Sequence, residues 1–413
     1  MERYRTDNLI QKRPGVISIS FSGVAFTVLC AYLALIFLNY VEWIPLSLVS
    51  LTLYGFVGMT AIAICVRGRI TFGEHVAWYT AFLLICFLST TYSVRSTTSF
   101  NKIVDMLKLL LFSLAFINIV NSKRRMRITM FVATCSATIL YFYLSMTGQL
   151  EVDERLGESL TGNANAFAIL FMIGAFCSVY FMFFGEKRVV TVSSWIMFIL
   201  QLHALALSGS RKFFLMPVLL FGFLKIFSTD KKGRSHFLRN AVIGLTAIAV
   251  VWWALFNVEF LYDAIGYRME GMVAAFTGEG EVDASSQIRQ DMITRGLELW
   301  QQAPLIGHGI DTYKHISGFG LYAHNNFAEL LSDLGLIGLV AYYWFYIRMI
   351  VRMIRRTDLK AFRWFWAICI ACIVICDYGV VSYDMYPVHL MLLLSAVALQ
   401  REEADEQGDL QKS

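Results

Sequence analysis

Apolar runs recur along the whole chain, and short polar segments separate them. Each run has about 20 residues, which is long enough to cross a hydrocarbon core of about 30 Å as a helix. The runs lie at roughly 16–38, 43–66, 75–92, 102–120, 126–147, 163–184, 189–208, 213–228, 238–257, 327–350, 363–381 and 385–400. The pattern therefore predicts an all-α polytopic membrane protein with about twelve transmembrane helices.

One polar segment, residues 258–323, is long enough to fold outside the bilayer as a large helical loop, either periplasmic or extracellular. The sequence thereby divides into five predicted parts. They are a cytoplasmic N-terminus at 1–15, nine spans at 16–257, the outside loop at 258–323, three spans at 324–400 and a cytoplasmic tail at 401–413. Since the tail is acidic and polar, we expect it to be disordered.

The outside loop contains a predicted amphipathic helix. Ser285 and Ser286 are suitable N-caps, and Pro304 follows the last helical residue, Gln302. The positions predicted to share one face are Ile288, Met292, Arg295 and Leu299. A helix with this pattern is expected to lie on the membrane surface or on the helical bundle.

Basic residues alternate along the chain as a membrane topology requires. Cytoplasmic loops are enriched in lysine and arginine, and a cytoplasmic N-terminus places most basic residues inside. These inside residues are Arg67, Arg69, Lys123, Arg124, Arg125, Arg127, Lys187, Arg188, Lys231, Lys232, Arg234, Arg239, Arg348, Arg352, Arg355, Arg356, Lys360 and Arg363. Both termini are therefore predicted to be cytoplasmic. The net charge of +5 serves this topology and gives no argument for nucleic-acid binding.

Composition agrees with a membrane protein, because 57% of the residues are hydrophobic and only 16% are charged. A soluble protein has roughly 25% charged residues. All eight cysteines fall within apolar runs, so we predict no disulfide framework. The spacing of Cys369, Cys372 and Cys376 is compatible with a metal site, but without a partner His or Cys cluster we interpret it as helix packing.

Basic residues outside the membrane run against the topological bias and need another explanation. The candidates are Arg155, Arg211, Arg268, Arg289, Arg295 and Lys314. Arg211 has the clearest case, because a guanidinium binds phosphate oxygens through two donors and stays charged. The alternative is that Arg211 and Lys212 extend to the phosphates of membrane lipids.

His324 begins the stretch in which the outside loop re-enters the membrane. Its imidazole is a candidate general base, since its unperturbed pKa lies near neutral pH, and a structural role is the alternative. Asn325 is a suitable N-cap for the following helix. Glu329 and Asp333 lie inside that predicted span, where a carboxylate is costly and is expected to be functional or paired. Gly335 is predicted to permit close helix packing.

Several chemistries find no support in the sequence. It contains no HExxH motif, no P-loop, no Cys/His metal spacing and no Asp-x-Asp pair for a divalent ion. An enzyme of this kind is expected to use no metal ion and no cofactor. Its substrate should be a membrane molecule that carries its own activated leaving group.

Four motifs occur in the order and topology typical of the O-antigen ligase/polymerase superfamily, and the chain resembles that family through them. They are Asn163-Ala-Asn165, Ser208-Gly-Ser-Arg211-Lys212, Pro304-x-x-Gly-His-Gly309 and Ala323-His-Asn325 through Leu334-Gly-Leu-Ile-Gly338. The resemblance is clear over about residues 150–345, and the number of spans and the late outside loop extend it to the whole chain.

This resemblance implies a GT-C-like fold and a metal-independent, inverting glycosyltransferase of the bacterial inner membrane. Such an enzyme takes a glycan from undecaprenyl pyrophosphate on the outer face. By motif, Arg211 and Arg289 would contact the pyrophosphate and His324 would serve the chemistry, with Arg295 as the alternative to Arg289. The residues expected to bind substrate are Arg155, Asn163, Asn165, Ser210, Lys212, Arg295 and Asn325.

Two functions within the family stay open at this point. A polymerase of O-antigen or exopolysaccharide repeats is favoured, and a ligase that transfers the glycan to lipid A–core is the alternative. A transporter of lipid-linked sugars is less favoured, because it should carry ionisable pairs at mid-membrane. The expected partners are the carrier-linked oligosaccharide, an acceptor glycan or lipid A–core, membrane lipids and, for a polymerase, a chain-length regulator protein.

Overall fold

The computed structural model of the chain describes residues 20–39, 41, 44–150, 156–157, 164–227, 234–267, 269–270, 284–355 and 361–410. These residues form helices and turns and no strand. The long helices are α1 (Phe21–Leu38), α2 (Leu46–Arg67), α3 (Glu74–Ser89), α4 (Ser96–Ile119), α5 (Lys123–Met146), α6 (Ala164–Phe184), α7 (Arg188–Leu207), α8 (Arg211–Phe227), α9 (Arg234–Asn257), α10 (Ala284–Gln302), α11 (Asn326–Ile354), α12 (Ala361–Cys376) and α13 (Tyr386–Leu410).

Eight helices in the described part are long and apolar enough to cross a membrane. They lie in α1, α2, α5, α6, α7, α9, α11 and α12. The prediction of an all-α polytopic membrane protein is therefore confirmed, and the number of twelve spans stays a prediction. Helix α4 does not belong to the eight, and it carries the ionisable side chains of Lys102, Asp105 and Lys108.

Helix α11 is broken at Gly335, where the backbone has φ 63° and ψ −162°. Other residues rarely adopt this conformation. The rings of Phe327 and Tyr343 lie 4.6 Å apart, although a straight helix would hold these positions about 24 Å apart. Residues 326–334 therefore fold back along residues 336–354. The apolar run predicted as one span at 327–350 is in fact two helices.

The turn that follows α10 fits into this break. The backbone N–H of Leu336 donates to the carbonyl of Pro304 at 2.9 Å, and that of Gly309 donates to the carbonyl of Asp333 at 2.8 Å. A Cβ at Gly335 would collide with the backbone of the same turn. Gly335 therefore allows the close approach of this loop, whereas the sequence suggested the close approach of a neighbouring helix.

Helix α10 packs on the folded-back half of α11. Met292 and Leu299 are each 3% exposed, and Gly296 lies against Ala328. Ile288, near the start of the helix on the same predicted face, is 49% exposed, so the packing covers only the later part of that face. The helix rests on the bundle, which is one of the two locations expected from its sequence.

The last helix continues into the segment predicted to be a disordered tail, since α13 ends only at Leu410. Glu402 accepts a hydrogen bond from the Arg363 guanidinium at 2.8 Å, and Glu403 accepts one from Arg352 at 2.7 Å. Arg352 also pairs with Glu74 of α3. The carboxylates of this acidic segment therefore join four helices, which explains why it is helical.

Candidate active site

His324 lies in the short link between the outside loop and α11. Its backbone has a positive φ of 51°, and its ring packs on that of Tyr322 with 4.2 Å between centroids. The preceding residue, Ala323, is fully buried. The Nδ1 atom of His324 is buried and has no hydrogen-bond partner among the described residues. The imidazole is therefore fixed by its backbone and by ring packing, and not by a hydrogen bond at Nδ1.

Two cations from different parts of the chain act on this imidazole. Burial lowers the pKa of His324 to about 4, with further contributions from the charges of Arg289 and Lys212. Arg289 also lowers the pKa of Tyr322, although burial and Glu329 raise it by more. At neutral pH the imidazole of His324 is therefore uncharged and able to accept a proton.

Lys212 reaches the site from the first turn of α8. Its Nζ lies 4.9 Å from the centroid of the Phe213 ring. A Cβ at Gly379, in the turn between α12 and α13, would collide with this ammonium group. The absence of a side chain at Gly379 thus leaves room for the Lys212 side chain to pack against that turn.

Arg211 is the first residue of α8, directly after a tight turn. Gly209 has a φ of 59°, which few other residues adopt. The N-terminal end of a helix carries partial positive charge and backbone N–H groups that favour anions. Arg211 and Lys212 thus add two full charges at the positive end of α8.

Two of the predicted substrate-binding residues contact each other in the turn before α8. The hydroxyl of Ser210 donates to Oδ1 of Asn165 at 2.6 Å, and both residues are buried. This contact joins the start of α6 to the start of α8. Arg155 and Asn163, which belong to the same predicted group, lie outside the described residues, as does Arg268.

Arg289 and Arg295 have different surroundings, although both are on α10. Arg295 forms an ion pair with Glu298 on its own helix at 2.9 Å, and its side chain is 37% exposed. Arg289 is the one whose charge acts on His324. Positions six apart on a helix point in markedly different directions, and a role of Arg295 in substrate binding stays a prediction.

A comparison with known families identifies the segment that holds these groups. Residues 196–343 match the family model described as O-antigen ligase. This segment belongs to the O-antigen ligase/polymerase superfamily. The matched residues include Arg211, Arg289 and His324, and they end before the turn that contains Gly379. No curated protein matches the chain significantly.

The O-antigen ligase segment also contains Asn325, whose side chain is engaged within the protein. Its Oδ1 accepts a hydrogen bond from the N–H of Ala328 at 2.9 Å, as expected for an N-cap. Its Nδ2 donates to the carbonyl of Tyr378 at 3.1 Å. These two bonds hold the start of α11 against the turn between α12 and α13.

The next residue builds a polar network that the sequence did not reveal. Asn326 donates to the hydroxyl of Tyr343 at 2.9 Å, and that hydroxyl donates to Asp377 at 2.8 Å. The second carboxylate oxygen of Asp377 is buried and has no hydrogen-bond partner among the described residues. Since Asp377 follows α12 and lies outside the matched residues, the site extends beyond the O-antigen ligase segment.

The two carboxylates in the first half of α11 have structural partners. Asp333 accepts hydrogen bonds from the N–H groups of Asp311 and Tyr313, at 2.7 Å and 2.8 Å. Glu329 accepts one from the N–H of Ala323 at 2.6 Å. Both carboxylates therefore hold the outside loop of the O-antigen ligase segment in place, and Glu329 does so directly before His324.

A lysine of α4 joins the same region and was missed by the sequence analysis. The ammonium group of Lys102 lies 2.6 Å from Asp384 and 4.0 Å from Asp311. Lys314, one of the unexplained outside cations, pairs with Asp311 at 2.7 Å. The sequence did indicate Lys102, because a charged residue inside an apolar run needs a partner or a function.

Proposed function

We propose that this protein is a metal-independent, inverting glycosyltransferase of the bacterial inner membrane, with both termini in the cytoplasm. It takes a glycan from undecaprenyl pyrophosphate on the outer face and polymerises O-antigen or exopolysaccharide repeat units. What supports this function is the position of His324, whose pKa is lowered by burial and then by the charges of Arg289 and Lys212, two cations from separate helices. The proposed reaction releases a proton, which an uncharged base can accept. It also releases an anion, which fixed positive charges stabilise.

The proposed reaction is a single displacement. A hydroxyl oxygen of the acceptor sugar attacks the anomeric carbon, and the bond from that carbon to the pyrophosphate oxygen breaks. His324 accepts the hydroxyl proton, and the pyrophosphate leaves with the bonding electrons. Arg211, Lys212 and Arg289 stabilise the charge that develops on the leaving group. Attack from the face opposite the leaving group inverts the anomeric centre.

A ligase that transfers the glycan to lipid A–core is the second candidate function, and the description of the matching family model favours it. Both functions use the same donor and differ in the acceptor. A polymerase would in addition work with a chain-length regulator protein. A transporter of lipid-linked sugars is the third alternative, and it would leave its substrate chemically unchanged.

The test uses purified protein, undecaprenyl-pyrophosphate-linked repeat units and a chelator, with and without lipid A–core. We expect a ladder of longer glycans without the core, and product only with the core would indicate the ligase. Replacing the proposed base, His324→Ala, should lower kcat by about a hundredfold or more. Arg211→Ala should also slow transfer, because it removes one of the charges on the leaving group.

His315→Ala is the matched control, since His315 is an exposed histidine of the same loop. It should keep the full rate. Full transfer by His324→Ala would show that the assigned site is wrong. Carrier-linked repeats that cross a membrane without any change in their covalent structure would favour the transporter.

A further inference from the structure

A cavity of about 600 Å³ lies between α1, α2, α4, α6 and the start of α13. This volume is within the range of small-molecule sites. Its polar and aromatic lining residues are Tyr32, Asn39, Ser50, Tyr54, Asp105, Lys108, Asp384 and Tyr386. We propose that this cavity binds the acceptor saccharide, which rests on the glycosyl transfer proposed above.

One wall of the cavity is aromatic. The rings of Tyr32 and Tyr386 lie 6.3 Å apart at an angle of 75°, and Tyr32 is almost fully buried. Tyr54 also lines the cavity and is 58% exposed, so its ring is accessible to a ligand. Tyrosine rings offer an apolar face and a hydroxyl together. This combination suits a sugar, which has C–H faces and hydroxyl edges.

The polar lining of the cavity offers both acceptor oxygens, on Asn39, Asp105 and Asp384, and donors, on Ser50, Lys108 and the tyrosine hydroxyls. Asp384 is 26% exposed and already paired with Lys102, and Asp105 is 64% exposed and paired with Lys108 at 2.7 Å. The Oδ1 atom of Asn39 is buried and has no hydrogen-bond partner among the described residues. A ligand rich in hydroxyl groups would donate to these oxygens.

The charges of the cavity distinguish it from the site proposed for the pyrophosphate. Each carboxylate has one lysine partner, so the lining is close to neutral and carries no excess of positive charge. A pyrophosphate would have to approach two carboxylates, which is unfavourable. The cations proposed to bind the pyrophosphate are instead Arg211, Lys212 and Arg289. The cavity therefore suits the uncharged part of the reaction, the acceptor hydroxyls.

A short chain of residues connects the cavity to His324. Asp384 follows Tyr383, whose ring lies 5.3 Å from the Lys102 ammonium group. Burial raises the pKa of Tyr383, and the carboxylate of Glu329 raises it next. Glu329 in turn holds the N–H of Ala323, directly before His324. The electrostatic effect of Glu329 on Tyr383 indicates that the cavity lining lies on the same side of the bundle as the segment before His324.

A lipid tail is the other occupant to consider, because apolar residues also line the cavity. A tail would offer no donor to Asn39 and would take the ion-paired carboxylates of Asp105 and Asp384 out of water, and both effects cost free energy. The observations favour the saccharide, and lipid occupancy becomes an outcome of the test.

The test measures binding separately from transfer. The probe is the repeat-unit oligosaccharide released from the lipid-linked precursor of the source strain, and saturation-transfer NMR reports its binding to purified protein. We expect Ser50→Trp, which fills the cavity from α2, to abolish this binding. Tyr54→Ala and Asp105→Asn should each raise the acceptor KM about tenfold, the effect of losing about 1.4 kcal/mol, and leave the donor KM unchanged.

Leu51→Trp is the matched control, because Leu51 is the next residue on α2, is 66% exposed and does not line the cavity. It should bind and transfer as the unchanged protein does. Saccharide binding that persists in Ser50→Trp would overturn the inference. A lipid that copurifies with the unchanged protein and is lost only from Ser50→Trp would also overturn it, because the cavity would then hold lipid. Failure of the proposed function is a different result, in which His324→Ala keeps both binding and transfer.

Discussion

His324 sets the pH dependence that we expect of the reaction. Its pKa is lowered to about 4 by burial and then by Arg289 and Lys212, so it loses its base form only in acid. The acidic limb of kcat/KM should therefore lie near pH 4, and activity should be flat between about pH 6 and 8, unlike that of an exposed histidine with a pKa near 6.5. Lys212→Met removes one nearby positive charge and should move this limb to higher pH, which a pH–rate profile with purified donor would measure.

The control for this shift is Arg295→Met. It also removes a cation of the outside loop, but Arg295 pairs with Glu298 and does not act on the imidazole. The limb should keep its position in that variant. An acidic limb near pH 6.5 in the unchanged protein would show that burial and the two cations do not lower the pKa of His324.

The candidate residues found from the sequence share a simple signal. Each of them, Arg211, Arg289 and His324, is a polar residue in a segment that the predicted topology places outside. The family motifs lie near these residues in the chain. Asn326 and Asp377 had no such signal, because their network depends on the fold-back of α11 and on a turn about fifty residues later. Contacts of this kind become visible only when the packing is known.

At the scale of single elements, Gly335 determines the shape of α11. Gly335→Ala would force a side chain into a conformation that costs about 1–3 kcal/mol, and its Cβ would collide with the turn that follows α10. We expect a lower midpoint of thermal unfolding in detergent. Glycan transfer should also be reduced, since residues 326–334, at the start of α11, position His324. Scanning fluorimetry and the transfer assay would measure both effects.

Gly58→Ala provides a comparison within α2, where an added Cβ would meet nothing within 4 Å. Because alanine favours a helix more than glycine, by about 1 kcal/mol, this change should be neutral or stabilising. Equal midpoints for Gly335→Ala and the unchanged protein would contradict the fold-back of α11.

Hydropathy predicted the helices well and could not predict this break. The run at 327–350 is apolar on both sides of Gly335, so its pattern resembles that of one span. The hydrogen bonds that stabilise the break come from Pro304 and Gly309, which are distant in the sequence. The prediction of a disordered tail was wrong for a related reason. Glu402 and Glu403 meet their arginine partners only when α11 and α12 are packed beside α13.

For the molecule as a whole, polar contacts join the helices at both ends of the bundle. At the end predicted to face outside, Asp333 and Glu329 attach the loop to α11. At the other end, Arg352 joins Glu74 and Glu403. The apolar surfaces of the helices can slide against one another in a lipid environment, and these directional contacts fix their relative positions.

The ion pair between Arg363 and Glu402 should contribute most to this fixation, because the two side chains are only 1% and 9% exposed. Glu402→Gln removes the carboxylate charge that balances this buried guanidinium, which costs up to about 3–5 kcal/mol, and should lower the midpoint of thermal unfolding in detergent. The double variant Arg363→Met with Glu402→Met should recover much of the loss, since it leaves no unbalanced charge. Glu298→Gln breaks a pair whose side chains are 37% and 54% exposed, so it should cost less than about 1 kcal/mol. Equal midpoints for Glu402→Gln and Glu298→Gln would show that the end of α13 does not hold the bundle together.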